Sequence, residues 1–315
     1  MRHTRLIAIT LCALLGAANG VSAHPALWTA RSATATVYLF GTMHVLPEGT
    51  HWRFPALDRA LAASQALYVE QDDATRSRTL GLILKYGVNH ADVAALQPIL
   101  NFHRVYPRHL YVLHVPYMLS RQLDATEKAR LRTAAERTDI PDGVATLDVM
   151  QPWLAALTLA TTRIQRAGYD PASGADAELE HQFRTRHKPV RAFETAHEQI
   201  ALFADAPRAQ QLQLLKAVLA NRSQPRVPVG QLEANWLHGD VAGIAADVDD
   251  SVLSRFPVLY EALLMRRNAN FARRIDALLG QHGTFFVALG AGHLAGAGDV
   301  QARLAKLGVR TRRVH

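Results

Sequence analysis

Cysteine is nearly missing from this 315-residue chain: the single thiol, Cys12, lies in the first apolar stretch. Once that stretch is removed, the chain has no disulfide, no thiolate metal ligand and no cysteine nucleophile. Aromatic residues make up 7% and charged residues 20%, against 49% apolar, an ordinary globular balance that argues against disorder. After the N-terminal segment no apolar run is long enough to span a bilayer. There is no Gly-x-Ser-x-Gly elbow, no phosphate-binding loop and no His-Glu-x-x-His. Gly290-Ala291-Gly292 starts like a dinucleotide loop, but Ala295 stands where the third glycine belongs.

The N-terminus reads as an export signal. Arg2 and Arg5 precede the apolar stretch Leu6 to Ala18, and Val21-Ser22-Ala23 supplies small residues for cleavage before His24. The expectation is a signal peptide over 1–23, a periplasmic or secreted product, and one α/β domain over 24–315 with no membrane span. The formal charge is +8, and loss of Arg2 and Arg5 leaves +6. The arginines are dispersed and no nucleic-acid-binding motif appears, so no nucleic-acid partner is expected. Arg310, Arg312 and Arg313 alternate with apolar or neutral residues, as in a terminal strand with one solvated face.

One pattern occurs twice. Thr36 to Phe40 runs into Gly41-Thr42-Met43-His44, and Thr284 to Leu289 into Gly290-Ala291-Gly292-His293. Each is a β-prone apolar run closed by Gly-x-x-His. The glycine ends the strand and sets a histidine beyond its carboxyl end, where open α/β sheets bind ligands. Two further short strands end in acids: Ala66–Val69 before Glu70, and Pro189–Phe193 before Glu194. The unit from Thr36 through a helix over 54–65 to Val69 predicts two parallel neighbouring strands. The segment from about 75 to 168 reads as mostly helical. Asp124–Glu127 and Thr195–Glu198 have the form of capping boxes. His197, His238 and the pair Arg266-Arg267 fall on helices, where a solvated face is the ordinary expectation.

If the four strands are parallel, His44, Glu70, Glu194 and His293 share one sheet edge. Two histidines and a carboxylate suit Zn, Mn or Co with an open water position. A bound ion lowers the pKa of such a water to about 7. Without a metal, the same residues suit acid–base hydrolysis. Glu70 could instead cap a turn, and Glu194 could serve the next helix as its N-cap or first-turn acid.

These motifs together resemble the TraB/GumN family, related to the Tiki metalloproteases and more distantly to erythromycin esterase-like and ChaN-like proteins. The resemblance is carried by Leu39 to His44, Tyr68-Val69-Glu70, Gln151 to Leu154, Gly174-Ala175-Asp176, Phe193-Glu194-Thr195 with Glu198-Gln199, Arg267-Asn268 and Val287 to Leu294. It implies a small, largely parallel sheet flanked by helices, with a large helical insertion. It also implies a hydrolase centre, metal-dependent and peptidase-like in the Tiki members. His44, Glu70 and His293 then become metal ligands, and Glu70, Glu194, Arg267 and Asn268 catalytic or supporting groups. Arg267 would stabilise an oxyanion or hold a carboxylate in place. The expected partner is a peptide or protein substrate. The alternatives are a binding protein that sequesters a peptide or a haem-like ligand, and a metal-free esterase.

Overall fold

The computed structural model describes residues 24–71, 76–88, 118–138, 140, 142–220, 226–251 and 255–314. The signal-peptide reading and part of the helical segment at about 75–168 lie outside the described residues.

The chain opens with β1 (Leu27–Arg31), β2 (Ala35–Thr42) and β3 (Leu46–Pro47), then α1 (Pro55–Ala63) and β4 (Ala66–Val69). A run of helices follows: α2 (Arg76–Gly87), α3 (Ala125–Arg137), α4 (Val144–Asp148) and α5 (Pro152–Arg166). Next come β5 (Tyr169–Asp170), α6 (Ala175–Thr185), β6 (Val190–Ala192), α7 (Ala196–Ala204), α8 (Arg208–Ala220), α9 (Arg226–Leu237) and α10 (Val241–Asp249). The last part holds α11 (Pro257–Tyr260), a π-helical turn over Glu261–Met265, α12 (Arg266–Leu279), β7 (Gly283–Gly290), α13 (Val300–Lys306) and β8 (Thr311–Arg313). The fold is α/β, as the sequence predicts, and the described parts of the 75–168 segment are helical.

The central sheet has the order β6-β4-β7-β2-β1-β8. The four strands β6, β4, β7 and β2 are mutually parallel, and antiparallel pairs join β2 to β1 and β1 to β8. β2 and β4 are parallel, but they are not neighbours: β7, from the end of the chain, lies between them. The reason is visible in β7 itself. Its residues Phe285 to Gly290 are all buried, as a strand covered on both faces must be. Phe285, Val287 and Leu289 face one layer, with Phe271 and Ile275 of α12 and Leu304 of α13. Phe286 and Ala288 face the other, with Leu57 and Leu61 of α1, Leu179 and Phe183 of α6, and Trp236 of α9. With this period-2 split β7 finds apolar partners on both faces, between β2 and β4, whose own buried side chains divide between the same two clusters.

The helical segment has its own cluster, in which Leu131, Leu147, Trp153, Leu159 and Leu215 are 0–2% exposed. Both capping boxes form as read: Asp124 with Glu127, and Thr195 with Glu198. The short ribbon of β3 and β5 pairs Leu46 with Asp170 and so ties the loop after His44 to the chain just before α6.

Candidate functional site

The parallel order places the ends of β6, β4, β7 and β2 side by side, so Glu194, Glu70, His293 and His44 stand in that spatial sequence along one edge. Backbone bonds from Phe193 N to Val69 O and from Glu194 N to Glu70 O, both 2.8 Å, carry the register past the last strand residue. Gly290 sits where three of the side chains converge. A Cβ built on it would lie 3.1 Å from His44 Nε2, 3.2 Å from Glu70 Oε1 and 3.7 Å from His293 Cδ2. The glycine of the second motif thus ends the strand and also leaves this space open.

Arg267 organises the acids. Its Nε donates to both oxygens of Glu194 at 2.9 and 3.0 Å, and Nη2 donates to Glu194 Oε2 at 2.7 Å and to Glu70 Oε2. Nη1 donates to Leu263 O and to His293 Nε2, each at 3.1 Å. A guanidinium has five N–H groups, and all five are used. Arg267 therefore holds carboxylates in place and has no donor left for an oxyanion. The sequence pattern set it on a solvated helix face; it is 9% exposed, whereas Arg266 is exposed. A buried guanidinium is stable only with such a complete set of acceptors.

The two histidines differ. His293 is 5% exposed, on the short helical turn after β7. Asn268 donates Nδ2–H to Gly298 O at 3.0 Å, which turns its Oδ1 to His293 Nδ1 at 2.6 Å. Nδ1 must then carry the proton and Nε2 the lone pair that accepts from Arg267. Burial, helped by the Arg267 and His44 charges and opposed by Glu70, pushes His293 down to about 4, so it is neutral at neutral pH. His44 has 58% of its side chain open to solvent, and its Nδ1 meets Asp176 Oδ2 at 3.2 Å. Such burial as it has works against its charge, but the hydrogen bond and charge of Asp176, with Glu70 behind them, raise it to about 9. Water reaching the open ring screens part of that attraction. Glu70 is held at about 2: burial would raise it, and the neighbouring His293 when protonated, Arg267, His44 and the Gly290 N–H at 2.6 Å lower it.

Asp176 belongs to this edge, although its position in the first turn of a helix reads as an ordinary dipole-favoured acid. Its placement comes from Gly174, where a Cβ would lie 2.4 Å from His44 O, and from the bond of Ala175 N to Met43 O at 2.9 Å. Only glycine lets the head of α6 approach the first Gly-x-x-His turn so closely. Glu194 is not the helix cap: Thr195 is, and Glu194 faces Arg267.

Above these groups lies an open cavity of about 540 Å³ whose walls include Thr42, His44, Glu70, Asp176, Gln199 and Arg267. Thr42 Oγ1 and Asp176 Oδ1 are buried there with no hydrogen-bond partner among the described residues. Among the described residues no group of three His, Cys, Asp or Glu side chains is arranged to hold a metal ion. The donor types at this edge, two imidazoles and a carboxylate, are those a divalent ion takes, and each ring has its Nδ1 fixed by an oxygen. The Arg267 contact with His293 Nε2 stands against it, because it places a cation on the lone pair that an ion would need.

A model of the TraB/PrgY/gumN family matches residues 26–99 and 111–313. The chain belongs to this family. Two curated relatives in it are similar over 152 residues at 28% identity: "Uncharacterized protein YbaP" of Escherichia coli strain K12 and the protein of the same name from Shigella flexneri. The match covers 48% of this chain and 55% of each relative, so the chain spans about half the length of the curated relatives it matches. No solved structure matches the chain significantly.

Proposed function

We propose that this member of the TraB/PrgY/gumN family is a hydrolase acting on peptides or extended protein segments outside the cytoplasm. The observation that carries the reading is the pair His44 and Glu70 at one open cavity, with pKa values held far apart, near 9 and near 2. Titratable neighbours driven apart in this way are the mark of divided acid–base roles. Glu70 orients the attacking water through its free lone pairs. The water oxygen bonds to the carbonyl carbon, His44 gives its Nε2 proton to the leaving group, and the proton released by the water restores the imidazolium. His293, Arg267, Asn268 and Glu194 position these two.

A second reading places a divalent ion, Zn, Mn or Co, on His44, Glu70 and His293. It is favoured by the anchoring of both rings at Nδ1, the usual state of metal-bound histidine. When bound, the ion would supply a water of lowered pKa. One experiment separates the readings: cleavage of a mixed peptide library by the purified protein, with metal analysis, excess chelator and His44→Ala. Turnover that survives chelation and is lost in His44→Ala supports the first. Stoichiometric metal and loss on chelation support the second. Tight peptide binding without turnover would overturn both in favour of a sequestering protein.

A further inference from the structure

A second cavity, of about 490 Å³, lies between α7, α11 with the π-helical turn after it, and α12. It shares Leu202 and Arg267 with the cavity over the sheet edge, so the two spaces meet along those side chains. Its floor is apolar: Phe193 and Leu259 are 3% and 1% exposed, with Leu202 and Ala262 beside them. Val258 at its rim is 50% exposed, an apolar side chain left in water next to an apolar floor. Two rows of opposite charge flank this floor. Arg266 and Arg274 stand two helical turns apart on α12, and Glu198 and Asp205 stand in the first turn and at the end of α7. The remaining charged groups of the lining have partners: Glu194 and Arg267 bind each other, and His197 Nε2 meets Tyr86 OH at 3.4 Å. Glu198 accepts from the Thr195 N–H and hydroxyl, which chiefly lower its pKa, with the charge of Arg274 adding to them. Arg274 lies over the Phe193 ring at 6.0 Å. Arg266 and the Asp205 carboxylate make no ion pair or hydrogen bond among the described residues. Glu261 and Asp276, the nearest acids along the chain to Arg266 and Arg274, lie outside the lining, and Arg208, three residues past Asp205, is turned to Gln122 and Gln151. The two rows therefore face each other across an apolar floor without closing on each other.

We propose that this groove holds the residues of a polypeptide substrate that flank the scissile bond on one side, taking an apolar side chain on its floor between an acidic one at Arg266 and a basic one at Asp205. The inference rests on the hydrolase reading for its class of ligand, a polypeptide, and not for turnover. A simple anion would face the acids of α7, and a simple cation the arginines of α12. A ligand that satisfies both rows carries both signs and also covers the apolar floor. An extended polypeptide does so, because successive side chains point to opposite sides. Its next few residues pass from the cavity at Glu70 into the groove where the two share Leu202 and Arg267. Charge complementarity of this kind selects among substrates more than it adds affinity.

The test is affinity selection of a library of short random peptides on the immobilised protein, with cleavage of the same library read by mass spectrometry. The parent should enrich peptides in which an apolar residue stands between an acid and a base. Arg266→Glu should lose the preference for the acid, and Asp205→Lys that for the base. The charge swap Arg266→Glu/Asp205→Lys should restore both with their order along the peptide reversed. Each preference is expected to be about three- to fivefold at low salt, the scale of an exposed ion pair, and to fade in molar salt. Arg266 and Asp205 are both exposed, and should one variant fail to fold the other still reads its own wall. Arg310→Glu/Arg312→Glu, which reverses charge on and beside β8, should select as the parent does. The expected selection without turnover would keep the groove and sink the hydrolase reading. Turnover with no charge preference, or with one that neither reversal moves, would overturn the groove and leave that reading standing. Neither selection nor turnover would overturn both.

Discussion

The two Gly-x-x-His turns are the same short sequence at the ends of neighbouring parallel strands, yet they produce opposite histidines. His44 faces open solvent, has a carboxylate on Nδ1 and is raised to about 9. His293 is walled in, has an amide oxygen on Nδ1 and a guanidinium on Nε2, and is lowered to about 4. The backbone motif therefore delivers an imidazole to an edge and no more. Its chemistry is set by what the rest of the chain brings to its two nitrogens: α6 brings Asp176 to the first ring, and α12 brings Asn268 and Arg267 to the second. A motif of this kind supports a claim about position, and the partner of each nitrogen supports a claim about role.

The largest effect should follow from removing the group that separates the two sides. Arg267→Met keeps length and apolar bulk but leaves Glu70 and Glu194 buried and facing each other without a cation. Breaking a buried pair of this sort costs about 3–5 kcal/mol, and urea unfolding with an unchanged slope would read it directly. The same change should let His293 and Glu70 both titrate higher. A loss below about 1 kcal/mol would mean that the carboxylates are already neutralised by protons rather than by Arg267.

Much of this edge was legible in the sequence because strand ends are local signals. A β-prone run, a glycine and a polar residue place His44 and His293, and the same logic places Glu70 and Glu194. The capping boxes were legible for the same reason. Arg267 entered only through the family resemblance, since helical periodicity sets it beside exposed Arg266, while the acceptors that pull it inward lie 73 and 197 residues away. Asp176 was visible as part of a turn but not as the partner of a histidine 132 residues earlier. The insertion of β7 between β2 and β4 was likewise hidden: adjacency in sequence favours a β2–β4 pair, and only burial of β7 on both faces overrides it. β1 carries too short and mixed a run, Leu27-Trp28-Thr29-Ala30-Arg31, to announce a strand without its partners β2 and β8.

An intermediate effect is expected from making the second histidine resemble the first. Asn268→Asp puts a carboxylate against His293 Nδ1. Opposite charge favours the imidazolium, so the midpoint should rise from about 4 toward the range of His44, followed by the ring proton shifts in NMR. The substitution also turns an oxygen toward Gly298 O in place of the Nδ2–H, a loss of about 1–3 kcal/mol. If the midpoint stays near 4 in a folded variant, burial alone sets it and the choice of amide over carboxylate is immaterial.

The smallest effect comes from the reverse exchange on the open side. Asp176→Asn keeps an oxygen near His44 Nδ1 but removes the charge, so the His44 midpoint should fall from about 9 toward the ordinary value of about 6.5. The sign for stability follows from linkage. A histidine whose folded pKa is raised contributes fully below its unfolded pKa of about 6.5, and the contribution is lost as pH climbs through the folded value. The parent protein should therefore lose a little thermal stability between pH 6.5 and 9, and Asp176→Asn should lack that decline. Because 58% of the His44 side chain is open to water, molar salt should flatten the parent's profile toward that of the variant. Parent and variant titrating at the same midpoint in low salt would show that Asp176 only orients the ring, and would leave Glu70 as the source of its raised basicity.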